Sequence, residues 1–458
     1  MSTARVREYT DGRLRVDGCR PASFINTYGC QMNVHDSEKI AGMLRDMGYA
    51  QAPSQEEAEL VVFNTCCVRE NAENKLYGNL GRLKNHKKVN PRLKVILCGC
   101  MMQQDAVVEK LRKSYPYVDV IFGTHNLHTL PQLLDAAIDT GGQVVDVWGS
   151  QAEIVEDLPV ERGHSFKAGV NIMYGCNNYC TFCIVPYVRG KERSRKLKDI
   201  VEECRRLVDD GVREVMLLGQ NVNSYGRGIG ESFAGLLREL NAIDGLERIR
   251  FMSPHPKDFG DDVIEALTNC STLCPSVHLP LQSGSNEVLR RMKRFYTKEG
   301  FIGLAERIKA ARPGMRITSD IIVGFPGETE ADFEHTLDVV RSVRFQNVFM
   351  FQYSKRNGTP AAAMDGQIPE EVVRERFERL MAEVNPIAAE ISASNMGRVL
   401  GVLVDSADSE DPTALSGRTE DNTLVHFKGG QHLLGSVVDV RITGYKSFYL
   451  LGETADMR

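Results

Sequence analysis

Cys176-Asn177-Asn178-Tyr179-Cys180-Thr181-Phe182-Cys183 places three thiols in one short segment, in a C-x3-C-x2-C pattern. Thiolate is the usual protein ligand of iron–sulfur clusters. Three thiolates from one loop grip three corners of a cubane and leave the fourth iron open to another ligand. A zinc site built from four cysteines normally shows two C-x2-C pairs, which this stretch lacks. Three inert core cysteines are the bland alternative, and the position of the triplet directly after a predicted strand argues against it.

A second, scattered set has the same potential. Cys30 follows SFINTYG, Cys66 follows LVVFNT and Cys100 follows LKVILCG, each just past the carboxyl end of a predicted strand. An open parallel α/β sheet places its ligands there. Three thiolates from three strand ends would again hold a cubane with one iron free. The neighbours Cys67 and Cys98 leave the choice within each pair open, and free cysteine is also a common small core residue. No Ser–His–Asp order, Walker loop or H-E-x-x-H points to another chemistry.

These sites need elements to carry them. From about 20 to 150, four strand patterns (SFINTYG, LVVFNT, LKVILCG, VDVIF) alternate with helices, two of them carrying Ile40, Met43, Leu44 and Met47, and Val68, Ala72, Leu76, Leu80 and Leu83. That rhythm predicts a parallel sheet covered on both faces. From 165 to 392, AGVNIMYG, EVMLLGQN, RIRFMS, SVHLPL, RITSDIIVG and NVFMFQY each precede a helical stretch. Six such units predict an open βα barrel with its site at the carboxyl ends of the strands. Ser150 to Gly163 is polar and irregular and reads as a linker. From 396 to 456, closely spaced short strand patterns predict a small β-barrel. The fold class is α/β.

The chain has 458 residues, 12 cysteines and a formal net charge of −5. Its amino terminus is polar, and the longest apolar run, VILCGCMM, is the size of one buried strand, too short to cross a bilayer. A cytoplasmic protein with no membrane contact is expected, and in that reducing compartment cysteines argue for metal binding rather than disulfides. The acidic total leaves any nucleic-acid contact to local basic clusters: Arg69 to Lys94 (Lys75, Arg82, Lys84, Lys87, Lys88, Arg92), Arg189 to Lys198, and Arg290 to Lys298. An ordinary solvated face is the other reading of each. The carboxyl-terminal block is itself net acidic, so its aromatics Phe427, Tyr445, Phe448 and Tyr449 are the candidates for stacking on RNA, some of them being core.

The triplet, with Phe182 before its last cysteine, resembles the radical S-adenosylmethionine superfamily. The resemblance implies a [4Fe–4S] cluster on Cys176, Cys180 and Cys183, whose open iron is chelated by S-adenosylmethionine to give a 5′-deoxyadenosyl radical. It also implies cofactor contacts at later strand ends: Gln220, Asn221 and Asn223, then Gln282 and Ser283, then Asp320. Amides and hydroxyls can hydrogen-bond a ribose and a methionine moiety, although ordinary turn chemistry also favours them. Thr27 to Asn33, Asn64 to Arg69 and Cys98 to Met101 look like the amino-terminal domain of the methylthiotransferase family, and the last block resembles a TRAM domain. That likeness picks Cys30, Cys66 and Cys100 as ligands of an auxiliary [4Fe–4S] cluster and leaves Cys19, Cys67, Cys98, Cys204, Cys270 and Cys274 structural. No catalytic residue is assigned beyond the six cluster cysteines.

What the family resemblance implies is methylthio insertion with two [4Fe–4S] clusters and two S-adenosylmethionines per turnover, because a C–H bond such as C2 of adenine is too inert for acid–base chemistry and needs a cofactor. The stretch from Gly175 to Arg195 is most similar to the branch acting on N6-isopentenyladenosine at position 37, next to the anticodon of tRNA. Other branches act on a ribosomal-protein aspartate or on threonylcarbamoyl-adenosine; a non-catalytic iron–sulfur RNA-binding protein is the reading from another class. An electron donor such as flavodoxin or ferredoxin and a monomeric state complete the expectation.

Overall fold

The computed structural model describes residues 1–13, 20–67, 70–150 and 153–455. Cys19, Val68, Arg69 and the side chain of Ala72, all named above, lie outside the described residues.

The chain forms two compact units. One comprises Met1–Gly163, Tyr174–Asn177 and Cys183–Arg193; the other comprises His164–Met173, Asn178–Phe182 and Ser194–Arg458. The first is built on a parallel sheet of six strands, β1 (Ala22–Thr27), β2 (Ala50–Gln51), β3 (Leu60–Thr65), β4 (Lys94–Gly99), β5 (Val120–Phe122) and β6 (Val144–Asp146), in the order β2-β1-β3-β4-β5-β6. β3 is buried along its whole length, as its unbroken apolar run requires of a central parallel strand. Helices cover both faces. Ile40, Met43, Leu44 and Met47 join one layer of core, and Leu76, Leu80 and Leu83 the other. β2 and β6 escape the sequence pattern because each is a short, partly exposed edge strand.

Of the stretch read as a linker, Gln151 and Ala152 lie outside the described residues; 150 and 153–163 are irregular, but the end is fastened. Glu161 donates its amide to the Glu38 carbonyl, and the Pro159 carbonyl oxygen lies 2.4 Å from where a Cβ on Gly42 would stand. Gly42 thus lets this segment lie directly on the helix Gln31–Asp46.

In the second unit, all six predicted barrel strands form: Lys167–Asn171, Glu214–Leu218, Arg248–Phe251, Ser276–His278, Arg316–Val323 and Asn347–Gln352. They pair in parallel as two triplets, linked by one bridge between Ile249 and Leu273. Along Arg316–Val323 burial alternates strictly. Ile317, Ser319, Ile321 and Val323 turn towards the helices, while Thr318, Asp320 and Ile322 face the open side together with His278, Phe349 and Phe351. Five antiparallel or parallel-paired strands from Val399 to Thr454 close a small barrel around Val402, Val404, Leu415, Val425, Phe427, Val440, Ile442 and Leu450. Arg248 and Arg250 tie it to the larger barrel. They donate to the carbonyls of Arg418, Thr419 and Glu420, with Glu214 neutralising Arg250 at 3.0 Å. Among the described residues no helix is long and apolar enough to cross a membrane.

The fastened segment can be tested with paired helix substitutions. Gly42→Ala should lower stability by about 1–3 kcal/mol through overpacking. Gly78→Ala, whose added Cβ would meet nothing within 4 Å, should raise it by about 0.4–1 kcal/mol. Urea melts of the two variants should shift in opposite directions.

Candidate active site

β1, β3 and β4 are adjacent, so Cys30, Cys66 and Cys100 emerge at three neighbouring strand ends. Asn33 binds the three ends together. Its amide donates to the Tyr28 and Thr65 carbonyls at 2.8 and 3.0 Å, its backbone N–H to the Cys30 carbonyl at 2.9 Å, and its side-chain oxygen faces the Cys100 sulfur at 3.7 Å. Asn64 returns a bond to the Asn33 carbonyl, and Thr65 donates to the Cys98 carbonyl. Gly29 and Gly99 have φ of 126° and 94°, and an added Cβ would stand 2.7 Å from Cys66 Cβ and 2.4 Å from the Thr65 carbonyl oxygen respectively. The phrases TYGCQMN, NTC and CGC are therefore one packed junction.

Arg189 lies over this junction, only 5% exposed. Its Nε reaches the Cys100 sulfur at 3.1 Å, and one terminal nitrogen, Nη2, reaches both Asn33 at 2.8 Å and Asp36 at 2.7 Å. A hydrogen bond from Cys67, aided by Arg189 and opposed by burial, brings the Cys100 thiol down to about 6. The same bond pushes Cys67 up, and burial pushes up Cys98, Cys204, Cys270 and Cys274.

Among the described residues no three His, Cys, Asp or Glu side chains close on a single ion. Ligands of a cubane bind separate irons and stand farther apart. A set of thiols alone, on three adjacent strand ends beside a buried cation, fits such a cluster rather than a hard metal ion.

Of the C-x3-C-x2-C loop, Cys176, Asn177 and Cys183 belong to the first unit and Asn178–Phe182 to the second. In the first unit, the Cys176 amide donates to the Gly190 carbonyl, and Asn177 and Glu192 exchange bonds. Ile184 and Val188 pack with Cys100 and Cys67. In the second unit, Thr181 donates through its amide to the Met292 carbonyl and through its hydroxyl to the Arg291 carbonyl, while Phe182 packs on Val288, Met292, Phe325 and Ala361. Cys180 is buried, with its sulfur 3.5 Å from Arg294. Phe182 is thus an anchor for the loop.

The strand-end residues fall into two groups. Asn223 exchanges bonds with the backbone of His255, Asn221 donates to Asp258, and the buried Ser283 hydroxyl accepts the Ser285 amide. These three shape their loops. Gln282, at φ 69°, bridges to the next strand through its backbone, accepting from the Ile322 amide and donating to the Asp320 carbonyl. Asp320 and Gln220 keep partly exposed side chains, and Asp320 faces His278 at 3.4 Å on the open side of the sheet. Sequence reasoning assigned Arg189, Arg195 and Arg294 to basic clusters facing solvent. All three are buried, Arg195 against Glu203, so those clusters are not uniform phosphate surfaces. The signal was available in the buried apolar neighbours Val188 and Met292.

Residues 22–123 match the model described as uncharacterized protein family UPF0004, residues 170–340 the radical SAM superfamily, and residues 393–455 the TRAM domain. The chain is 54% identical over 437 residues to a tRNA-2-methylthio-N(6)-dimethylallyladenosine synthase of Lachnoclostridium phytofermentans, covering 95% of this chain and 96% of that one. It is 53% identical to the protein of the same name in Acetivibrio thermocellus, covering 94% and 90%. Among solved structures, the radical S-adenosylmethionine methyltransferase TsrM of Kitasatospora setae, with tryptophan substrate and a SAM analogue bound, superposes with a TM-score of 0.54 over 85% of this chain and 79% of that one. At 15% identity the likeness is one of fold.

Asn33→Ala would remove the side-chain donors to the Tyr28 and Thr65 carbonyls and one of the two partners of Arg189 Nη2. It should cost about 2 kcal/mol or more, since each buried group left unpaired costs about 1–3 kcal/mol. Denaturant titration of the cluster-free chain measures this apart from any loss of iron.

Proposed function

We propose a function on the premise that the chain belongs to the methylthiotransferase family of radical SAM enzymes, alongside the synthases to which it is more than half identical over nearly its whole length. It is a tRNA-modifying transferase that converts N6-dimethylallyladenosine, which is N6-isopentenyladenosine, to the 2-methylthio derivative at position 37. The observation that carries this reading is that identity, together with two separate cysteine sets on the two domains the chemistry requires. Its cofactors are S-adenosylmethionine and [4Fe–4S] clusters, which supply carbon-radical formation and sulfur transfer when bound.

Cys176, Cys180 and Cys183 are the ligands of the radical cluster, and Cys30, Cys66 and Cys100 those of the auxiliary one. Asn33 and the Arg189–Asp36 pair hold the second set in register. Gln220, Asn221, Asn223, Gln282, Ser283 and Asp320 form the S-adenosylmethionine side of the barrel, with Asn221, Asn223 and Ser283 shaping the wall. Phe349 and Phe351, about half exposed on the same face as Ile322 and Asp320, offer apolar surface suited to a dimethylallyl group.

tRNA is the macromolecular substrate. Exposed Lys75, Arg82, Lys84, Lys88 and Arg92 can neutralise phosphates, and exposed Tyr445 and Phe448 on the TRAM barrel can stack on unpaired bases. Phe427 is core, and Tyr449 is half-buried against His426. A monomer in the cytoplasm, reduced by a flavodoxin or ferredoxin, completes the reading.

Two measurements test it. Full-length chain with Cys176→Ala, Cys180→Ala and Cys183→Ala should keep about half of some eight irons after anaerobic reconstitution and form no 5′-deoxyadenosine. Nucleosides of tRNA from a deletion strain should lack the 2-methylthio derivative and accumulate its precursor; an unchanged profile refutes the tRNA assignment, and loss of a methylthio threonylcarbamoyl-adenosine reassigns the base.

A further inference from the structure

Arg294 is 5% exposed and makes three contacts: Cys180 sulfur at 3.5 Å, the Pro280 carbonyl at 3.0 Å and the Tyr296 hydroxyl at 3.0 Å. None of these partners is a carboxylate, and Arg294 makes no ion pair among the described residues. A buried cation without a counter-charge is costly, and arginine cannot shed its proton to escape. Arg189, beside the other cysteine set, is equally buried but carries its own counter-ion in Asp36 at 2.7 Å. Of the two buried arginines, Arg189 is therefore neutralised by a carboxylate and Arg294 is not.

We propose that Arg294 is the counter-charge of the cluster held by the Cys176, Cys180 and Cys183 triplet, and that its positive charge, unpaired by any carboxylate, favours the reduced state of that cluster. The proposal rests on the reading of the triplet as a cluster site. Uptake of one electron from an external reductant adds one negative charge to the cluster and moves no atoms. A fixed cation hydrogen-bonded to one ligand sulfur stabilises that added charge, and burial strengthens the effect. Arg294 is a positioning residue and does not itself react.

The test uses full-length chain carrying Cys30→Ala, Cys66→Ala and Cys100→Ala, so that only the triplet can hold iron. About four irons per chain establish the cluster; no iron overturns both this proposal and the reading beneath it. Dithionite titration followed by electron paramagnetic resonance then compares Arg294 with Arg294→Lys and Arg294→Gln. Glutamine keeps a donor and drops the charge. Its reduced-to-oxidised ratio at a fixed applied potential should fall about tenfold, equivalent to about 59 mV for one electron, while lysine stays near the parent. Equal ratios in the parent and the glutamine variant overturn the proposal. The cluster-free chain gives a second reading, because there Arg294 is an uncompensated charge. Arg294→Gln should then melt no lower than the parent, whereas a marked fall, or failure to fold, makes Arg294 a framework residue and overturns the proposal.

Discussion

The structure depends on placing cysteine sulfurs at three adjacent strand ends and in one short loop, where a folded chain must tolerate whatever negative charge they take on. A thiolate buried in apolar surroundings is unfavourable, so each site combines convergence with compensation. At the amino-terminal site, convergence comes from the sheet. Cys30, Cys66 and Cys100 are far apart in sequence but end three hydrogen-bonded strands, and Asn33 fastens those ends through its side chain and backbone. Compensation comes from Arg189 and from the placement of Cys30 at the start of the helix Gln31–Asp46, the positive end of its dipole.

The triplet solves the same problem differently. Its three sulfurs are close in sequence, so the loop supplies convergence and the fold has only to hold the loop. Thr181 and Phe182 do this from the middle, by hydrogen bonds to the Met292 and Arg291 carbonyls and by packing around Phe325. Thr181 and Phe182, the two spacers before the last cysteine, are thereby explained as anchors.

Most of the fold was legible because its signals are local. Unbroken runs such as LVVFNT announce buried parallel strands, and the strand-then-helix rhythm repeats six times in the barrel. The edge strands β2 and β6 were invisible because two or three partly exposed residues carry no periodicity. The fastening of Pro159 on Gly42 was invisible because it depends on two backbones meeting, which no residue pattern encodes. The cysteines stand out by type and spacing, but the residues alone offer Cys66 and Cys67 alike, and only family likeness chooses between them. In the structure Cys67 packs beside Cys100, and that neighbour together with burial pushes the Cys67 thiol up.

The arginines mark the limit of sequence reasoning most clearly. A run of basic residues looks the same whether its members face solvent or a buried sulfur, since charge is a property of residue type and burial is not. Arg189, Arg195 and Arg294 each sit in such a run and each turns inward, whereas Lys191, Lys196, Lys293 and the exposed lysines of the helix Glu70–Val89 remain at the surface. An enzyme that must hold anionic clusters and also bind an anionic polymer draws on one pool of cations for both tasks. Arginine, with a rigid fork of donors and weak hydration, suits the buried task; lysine, a strongly hydrated point charge, suits the phosphate surface. In the function proposed above, that division lets an acidic chain keep local positive charge for tRNA phosphates.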